Sequence, residues 1–348
     1  MRGNGVNLRS RTAGALVVAA AVAAVVAGCG SSNSSGGNSG TSGAAAAGGK
    51  SPSTSGKQLK VIVVTHGVPS DPFWNTVQKG VKDAGADFNV KTDYQSLQGA
   101  VDPGQEARLM DAAIAQKPDG IAVTIPDPSA MRAPIKKALD AGIPVIAFNS
   151  GDTDYQKLGV KTFVGFSAAA AGAGLGQELS KLGSKNAICV NHQQGNLTLE
   201  TMCSNFQKAF VAAGGKAKQL VVDGADPSGT QSDVTAALSQ DKTIDGVFGL
   251  GPGSHGAVLK AIEASGRQQS IKFCDFNLIG GIVQDIAAGK TDCTGDQQGY
   301  LQGYLPVEFL AQYKRLGVTP LGHVLTGPVL VTKANVSQAL ALSKANVR

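Results

Sequence analysis

The stretch from Leu59 to Gly85 alternates sharply between apolar and polar blocks. Val61–Val64 is an unbroken apolar, β-branched run, the pattern of a strand buried on both faces. Turn-forming residues occupy His66 to Asp71. Phe73, Val77, Val81 and Ala84 then recur at helical spacing, with Asp71 placed as N-cap and Pro72 at the first helical position. The unit is strand, loop, helix, and in an open parallel sheet such a loop sits at the carboxyl edge, where ligands bind. His66 ends the strand there. Trp74, the chain's only Trp, stands beside Phe73 in the first helical turn. Adjacent rings there should point in different directions, so at least one is expected to face a cleft.

The same alternation continues. Strands are predicted at Asn89–Tyr94, Gly120–Ile125, Val145–Phe148 and Thr162–Gly165, with helices at Pro103–Gln116 and Ser129–Ala141. A second set starts with the small-residue helix Ala168–Leu182. It alternates strands (Asn186–Asn191, Ala217–Val222, Gly246–Leu250, Ile271–Phe276, Lys290–Thr294) with helices (Leu197–Ala213, Gly229–Gln240, Ser254–Ser265, Leu278–Ala288). A long helix at Gly299–Leu316 and a strand near Val324–Val331 finish the chain. Two similar βα sets predict an α/β protein of two doubly wound parallel-sheet lobes.

The first 28 residues read as something other than fold. Arg2, Arg9 and Arg11 precede an apolar run, Ala13–Ala27, which ends at Val26-Ala27-Gly28-Cys29. That is a signal peptide. Its last four residues resemble the lipobox of bacterial lipoproteins, which implies cleavage before Cys29, a lipid on its sulfur and an extracytoplasmic, membrane-anchored protein. From Gly30 to Gly56 the chain is rich in Gly, Ser, Ala, Asn and Thr, a flexible tether spanning on the order of 30 Å. The formal charge of +6 includes the three leader arginines, so the mature chain is near neutrality, at about +3. No Lys/Arg cluster stands out, and no nucleic-acid partner is expected. Cys189, Cys203, Cys274 and Cys293 form an even set in an exported chain. Of the three possible pairings, the neighbour pairs Cys189–Cys203 and Cys274–Cys293 close short loops and are expected. No C-x-x-C pair or histidine spacing indicates a metal, and no cofactor is expected.

Together these stretches resemble a known family. VIVVTHGVPSDPFWNTVQKGVKDA, PDGIAVTIPDPSAMRAPIKKALDAGIPVIAFNS, DGVFGLGPGSHGAVLKAIEASG, IKFCDFN and GDQQGYLQGYLPVEFL, in that order, are similar to the ribose-binding-like type I periplasmic binding proteins that serve ABC sugar importers. The resemblance covers residue 58 to the end. It implies a ligand cleft between two lobes joined by three crossings, near Gly165–Ala168, Gly295–Gln298 and Thr326–Gly327. The N-terminal lobe would comprise 58–165 and 298–325, the C-terminal lobe 166–297 and 326–348. The resemblance places Asp71 on a sugar hydroxyl and Phe73 and Trp74 around the sugar ring. Asn149, Ser150 and Asn277 stand where charged residues are common in the family, and Gln297 stands at the hinge. Met202 replaces a usual Arg, while Ser167 and Gly251 replace larger polar groups. A cleft with so little charge implies a neutral sugar or polyol. With Asn at 149 and 277, affinity is expected to change little between about pH 5 and 8.

Other motifs carry rival chemistry. Ala171–Gln177 invites a dinucleotide-loop reading, but Gln177 stands where the third Gly belongs, so close helix packing is expected. Pro252–Gly256 lacks the first Gly of a nucleophile elbow. Ser254 is expected as a helix N-cap, and Ser254 or His255 could face the cleft. Asp226 lies at the cleft edge, in a loop that is also an ordinary Asp-Pro turn. The expectation is a monomeric binding protein, not an enzyme, that hands its ligand to an ABC permease. A receptor that docks on a signalling partner when closed is the alternative.

Overall fold

The computed structural model describes residues 56–343, apart from Ser70 and Ala100. The leader, Cys29 and the tether up to residue 55 lie outside the described residues. The first sheet is built from β1 (Leu59–Val64), β2 (Val90–Gln95), β3 (Gly120–Val123), β4 (Val145–Phe148), β5 (Thr162–Phe166) and a late strand, β11 (Gly322–Gly327). Helices α1 (Phe73–Asp87), α2 (Pro103–Ala115) and α3 (Pro128–Asp140) connect its early strands. The order is β11-β5-β4-β3-β1-β2, and every pairing is parallel.

The second sheet repeats this plan with α4 (Ala168–Lys181), β6 (Asn186–Asn191), α5 (Leu197–Ala212), β7 (Lys216–Val221), α6 (Pro227–Gln240), β8 (Gly246–Gly249), α7 (Pro252–Ala264), β9 (Lys272–Phe276), α8 (Gly280–Ala288) and β10 (Cys293–Asp296). Helix α9 (Gly299–Leu316) then returns to pack on α1, ahead of β11. The last strand, β12 (Val329–Thr332), joins the second sheet antiparallel to β10, and α10 (Ser337–Ser343) closes the described chain. The second sheet runs β12-β10-β9-β8-β6-β7. The chain therefore passes between the sheets after β5, after β10 and after β11.

Alternate side chains of each central strand feed cores on opposite faces. Ile62 and Val64 join one cluster, Val61 and Val63 the other. In the second sheet Cys189 faces one cluster and Ile188 and Val190 the other. The neighbour pairs of cysteines are bonded. Cys189–Cys203 ties β6 to α5, and Cys274–Cys293 joins register partners of β9 and β10 with Cα atoms 4.6 Å apart.

Several boundaries differ from the sequence reading. The single strand expected at Val324–Val331 is two strands in two sheets, because Pro328 has no N–H to continue a ladder. The strand expected at Lys290–Thr294 begins at Cys293. Helices α6 and α7 begin at their prolines, Pro227 and Pro252. Ser254 is therefore inside α7 and is not its N-cap; Gly251 is. Asp71 is likewise one residue short of the N-cap position, which Pro72 holds, yet its Oδ1 accepts the Phe73 N–H at 3.0 Å.

Each lobe holds one very close helix pair. A Cβ at Gly80 of α1 would run into the Tyr300 carbonyl of α9, and one at Gly172 of α4 into the Met202 carbonyl of α5. The small-residue run Ala171–Gln177 thus serves helix packing. Gly174 of the same run faces open space. Gly172→Ala is expected to cost about 1–3 kcal/mol, since backbone cannot move aside cheaply. Gly174→Ala should instead stabilise, by up to about 1 kcal/mol, through helix propensity. Urea unfolding of both variants checks this, and equal effects would refute the packing account.

Candidate functional site

The carboxyl ends of the strands in both sheets face one another across a cleft. A small inner hollow, about 40 Å³, is lined from the first sheet by His66, Asp71, Phe73, Trp74, Asn149, Ser150 and Phe166. From the second come His192, Gln193, Asn196, Thr198, Leu199, Leu250, Phe276 and Asn277, with Gln297 at a crossing. It adjoins an outer hollow of about 440 Å³; Asp71, His192 and Gln193 line both. The two sides also touch directly. The Leu197 N–H donates to the Pro126 carbonyl at 3.0 Å, and the Gly151 N–H to Thr198 Oγ1 at 3.3 Å.

The aromatic wall is built on a bare backbone. The Trp74 ring lies against Gly67, where a Cβ would collide with it. It meets the rings of His66 and Phe73 edge-on, with centroids 4.9 and 5.2 Å away. Phe73 and Trp74 both reach the inner hollow, contrary to the expectation that adjacent rings diverge. They touch each other, so no sugar ring fits between these two and the sandwich implied by the resemblance is not formed by them. Trp74 also belongs to the core under α1, and its Nε1 has no partner among the described residues.

The floor is a network of side-chain amides. Asn149 and Asn277 follow β4 and β9 directly, and both adopt left-handed backbone (φ 63° and 88°), a conformation Asn tolerates better than most residues. The Asn149 Nδ2 donates to Gln302 Oε1 at 2.9 Å and Gln297 Oε1 at 3.2 Å. Gln297 Nε2 donates to Asn277 Oδ1. Gln302 Nε2 donates to Thr326 Oγ1 at 3.1 Å, and Thr326 to the Gln297 carbonyl at 2.8 Å. Gln297 therefore works mainly as a cross-link between chain crossings.

Burial governs the electrostatics. It lowers the pKa of His66 to about 3, helped by nearby His192, and that of His192 to about 4 against the pull of Asp275. Both imidazoles are neutral at pH 7. Burial raises Asp71 to about 6, opposed by the Phe73 N–H and reinforced by Asp275. Asp71 is thus the charge of the inner hollow at neutral pH, and it titrates inside the range where pH independence was expected. Asn149 and Asn277 carry no charge to titrate, but Asp71 beside them does.

Seven of the twelve predicted ligand contacts line the inner hollow: His66, Asp71, Phe73, Trp74, Asn149, Asn277 and Gln297. Five do not. Met202 is fully buried in the second lobe's core, because its face of α5 is turned to α4. Ser167 caps α4 through the Ala170 N–H, and Asp226 caps α6 through the N–H groups of Ser228 and Gly229. Ser254 is fully buried and donates to the Gly251 carbonyl. His255 points under the sheet, where Nδ1 meets Asp275 Oδ2 at 2.5 Å and Nε2 meets Asp285 Oδ2 at 3.0 Å. The sequence reading did not place His192 at the hollow, although it lines both parts of it. It follows β6 as His66 nearly follows β1, so the same strand-end rule would have found it. Its ring is seated between Gly224 and Gly253, where any side chain would press on it.

Two parallel-dominated sheets meeting strand end to strand end, with a polar hollow between them, define a two-lobed α/β binding protein. Residues 61–317 match the family model for the periplasmic binding protein domain, and the chain belongs to that family, with the type I fold. It is 34% identical to a solved carbohydrate transporter from Acidothermus cellulolyticus, in complex with myo-inositol, covering 84% of this chain and 100% of that one at a TM-score of 0.80. A periplasmic sugar-binding protein of an ABC sugar transporter from Legionella pneumophila is 26% identical, with 78% and 100% covered and a TM-score of 0.73. The xylose/arabinose-binding protein XylF of Sulfolobus acidocaldarius is 29% identical over 303 residues, 82% of this chain and 74% of that protein.

Two pH effects follow. If a ligand hydroxyl donates to ionised Asp71, affinity should fall about tenfold from pH 7 to pH 5 as the carboxyl takes up a proton. Calorimetry at both values checks this, and Asp71→Asn should flatten the profile. His255 behaves oppositely in stability. Burial lowers its pKa, but the hydrogen bonds and charges of Asp275 and Asp285 outweigh that and hold it above the ordinary value. A raised folded-state pKa gives stability that is full below the unfolded value and lost as pH rises through the folded one. The unfolding free energy of wild type should therefore exceed that of His255→Asn by more at pH 5.5 than at pH 9, which urea unfolding at both values checks.

Proposed function

We propose that this chain captures a neutral sugar or polyol between its lobes and delivers it to an ABC importer. The observation that carries the reading is the composition of the inner hollow. One carboxylate, two neutral imidazoles, several amides and an aromatic wall converge there from both sheets. Hydroxyl groups need paired acceptors and donors, and the CH face of a sugar needs an apolar surface. A phosphate or sugar acid would meet Asp71 with no cation among the lining residues to offset it. The names of the relatives support the class: one binds xylose or arabinose, and another was solved with myo-inositol.

In this reading Asp71, His66, Trp74, Phe73 and Asn277 touch the ligand, with His192 opposite them. The N-terminal lobe comprises 58–165 with 298–325, and the C-terminal lobe 166–297 with 326–348. A ligand that contacts both lobes only when they are closed shifts the population toward the closed form. Cys29 carries a lipid that holds a monomeric receptor on the outer face of the cell membrane, and the protein performs no turnover.

A thermal-shift screen against pentoses, hexoses and inositols tests the reading. A ligand at 100 times its Kd adds about 2.7 kcal/mol of stability. Failure of every neutral sugar and polyol to shift the transition would overturn it. Trp74→Ala should lower the affinity of the responding ligand about 30- to 1,000-fold. It should also cost about 3–5 kcal/mol of stability, because the ring belongs to the core as well. Unchanged affinity in the folded variant would remove Trp74 from the contact set.

A further inference from the structure

Behind His66 runs a buried hydrogen-bond chain that the binding reading does not use. Thr124 follows β3 and is fully buried. Its Oγ1 lies 2.9 Å from the His66 backbone N–H and 2.9 Å from His66 Nδ1. The same oxygen makes a very short contact with Oε1 of Glu106 on α2. Glu106 is fully buried, no cation pairs with it among the described residues, and its Oε2 has no partner there. His66 Nε2 makes no hydrogen bond to a described residue, and the ring lines the inner hollow.

We propose that Glu106 and Thr124 are positioning residues that fix His66 as a hydrogen-bond donor toward the ligand. A carboxylate with one hydrogen bond and no counter-charge is costly in a core, so Glu106 is a neutral acid. Burial raises its pKa to about 8, reinforced by Asp127 at the start of α3. Its proton sits on Oε1, where Thr124 accepts it. On Oε2 it would be an orphaned donor, a worse fault than an under-used carbonyl. Thr124 Oγ1 then accepts from Glu106 and from the His66 backbone N–H, which fills both lone pairs. Its own hydrogen has one acceptor left, His66 Nδ1. A neutral imidazole that accepts at Nδ1 carries its proton at Nε2. The hollow therefore offers a donor at His66 and an acceptor at Asp71, and the pair suits one hydroxyl-bearing ligand edge.

Three readouts on the intact protein test this. Histidine 15N NMR at pH 7, with His66 assigned by His66→Gln, should show pyridine-type Nδ1 and pyrrole-type Nε2. The reverse pattern overturns the proposal. Infrared spectroscopy should show the carbonyl band of a protonated carboxylic acid that is missing from Glu106→Gln; no difference between the two also overturns it. Thr124→Val should lose the single tautomer, and Thr124→Ser should restore it. The binding half rests on the function proposed above and uses D-xylose and myo-inositol as probes. For a probe that binds wild type, Thr124→Val should weaken affinity about tenfold and Thr124→Ser by less than about threefold. Unchanged affinity in Thr124→Val overturns the link to the ligand. If neither probe binds wild type, the function reading for those sugars fails, and the tautomer and infrared results still decide whether the relay exists.

Discussion

The buried amide cluster around Gln297 and Gln302 is the interaction on which the rest depends. Gln302 is fully buried and Gln297 and Thr326 nearly so. Such groups are tolerated only when their hydrogen bonds are met, because an unpaired buried donor or acceptor costs about 1–3 kcal/mol. Here the partners come from β4's end, β9's end and two chain crossings at once. The register of one sheet against the other is thereby fixed at the crossings. The same side chains form the floor of the hollow, so the joint between the lobes and the base of the site are one piece of chemistry.

Around that joint the two lobes repeat each other. The first strand of each lobe, β1 or β6, ends near a histidine that burial keeps neutral, His66 in one lobe and His192 in the other. Each fourth strand in its run ends in a left-handed asparagine, Asn149 or Asn277. Each lobe has a helix pair brought close by a glycine, Gly80 or Gly172. Asymmetry enters through Asp71, Phe73 and Trp74, which have no counterparts in kind at the start of α5. The first lobe thus supplies the charge and most of the aromatic surface, while the second supplies amides and an imidazole.

Most of the framework was legible because it rests on periodicity. Val61–Val64 could only be a strand buried on both faces, and Gly299–Leu316 is a helix with the bounds its spacing predicts. His66 was legible by the rule that strand ends meet the ligand edge, whereas Asn149 and Asn277 were legible only through the resemblance to the family. Side-chain direction was not legible. Met202 and His255 occupy the right part of the chain, but a helical residue's aim depends on which neighbour its face packs against, and here the neighbours are α4 and the pair Asp275 and Asp285. Ser167 and Asp226 were drawn away by helix caps, which claim short polar side chains at those positions. Glu106 gave no signal, since a buried carboxyl acquires meaning only once Thr124 and His66 are placed beside it.

The inner hollow, at about 40 Å³, is far below the ~300–1,000 Å³ of typical small-molecule sites, so by itself it does not hold a ring-sized ligand. The direct contacts between the two sides are few among the described residues. Leu197 with Pro126 is a single hydrogen bond beside the half-exposed Leu197, which water can replace at a net cost of about 1 kcal/mol, and Gly151 with Thr198 is a second, buried one. The amide cluster lies at the crossings, where a rotation between lobes moves atoms least. Under the proposed function, a ligand that reached Asp71 from one lobe and His192 from the other would favour closure by the difference in its contacts between the two states.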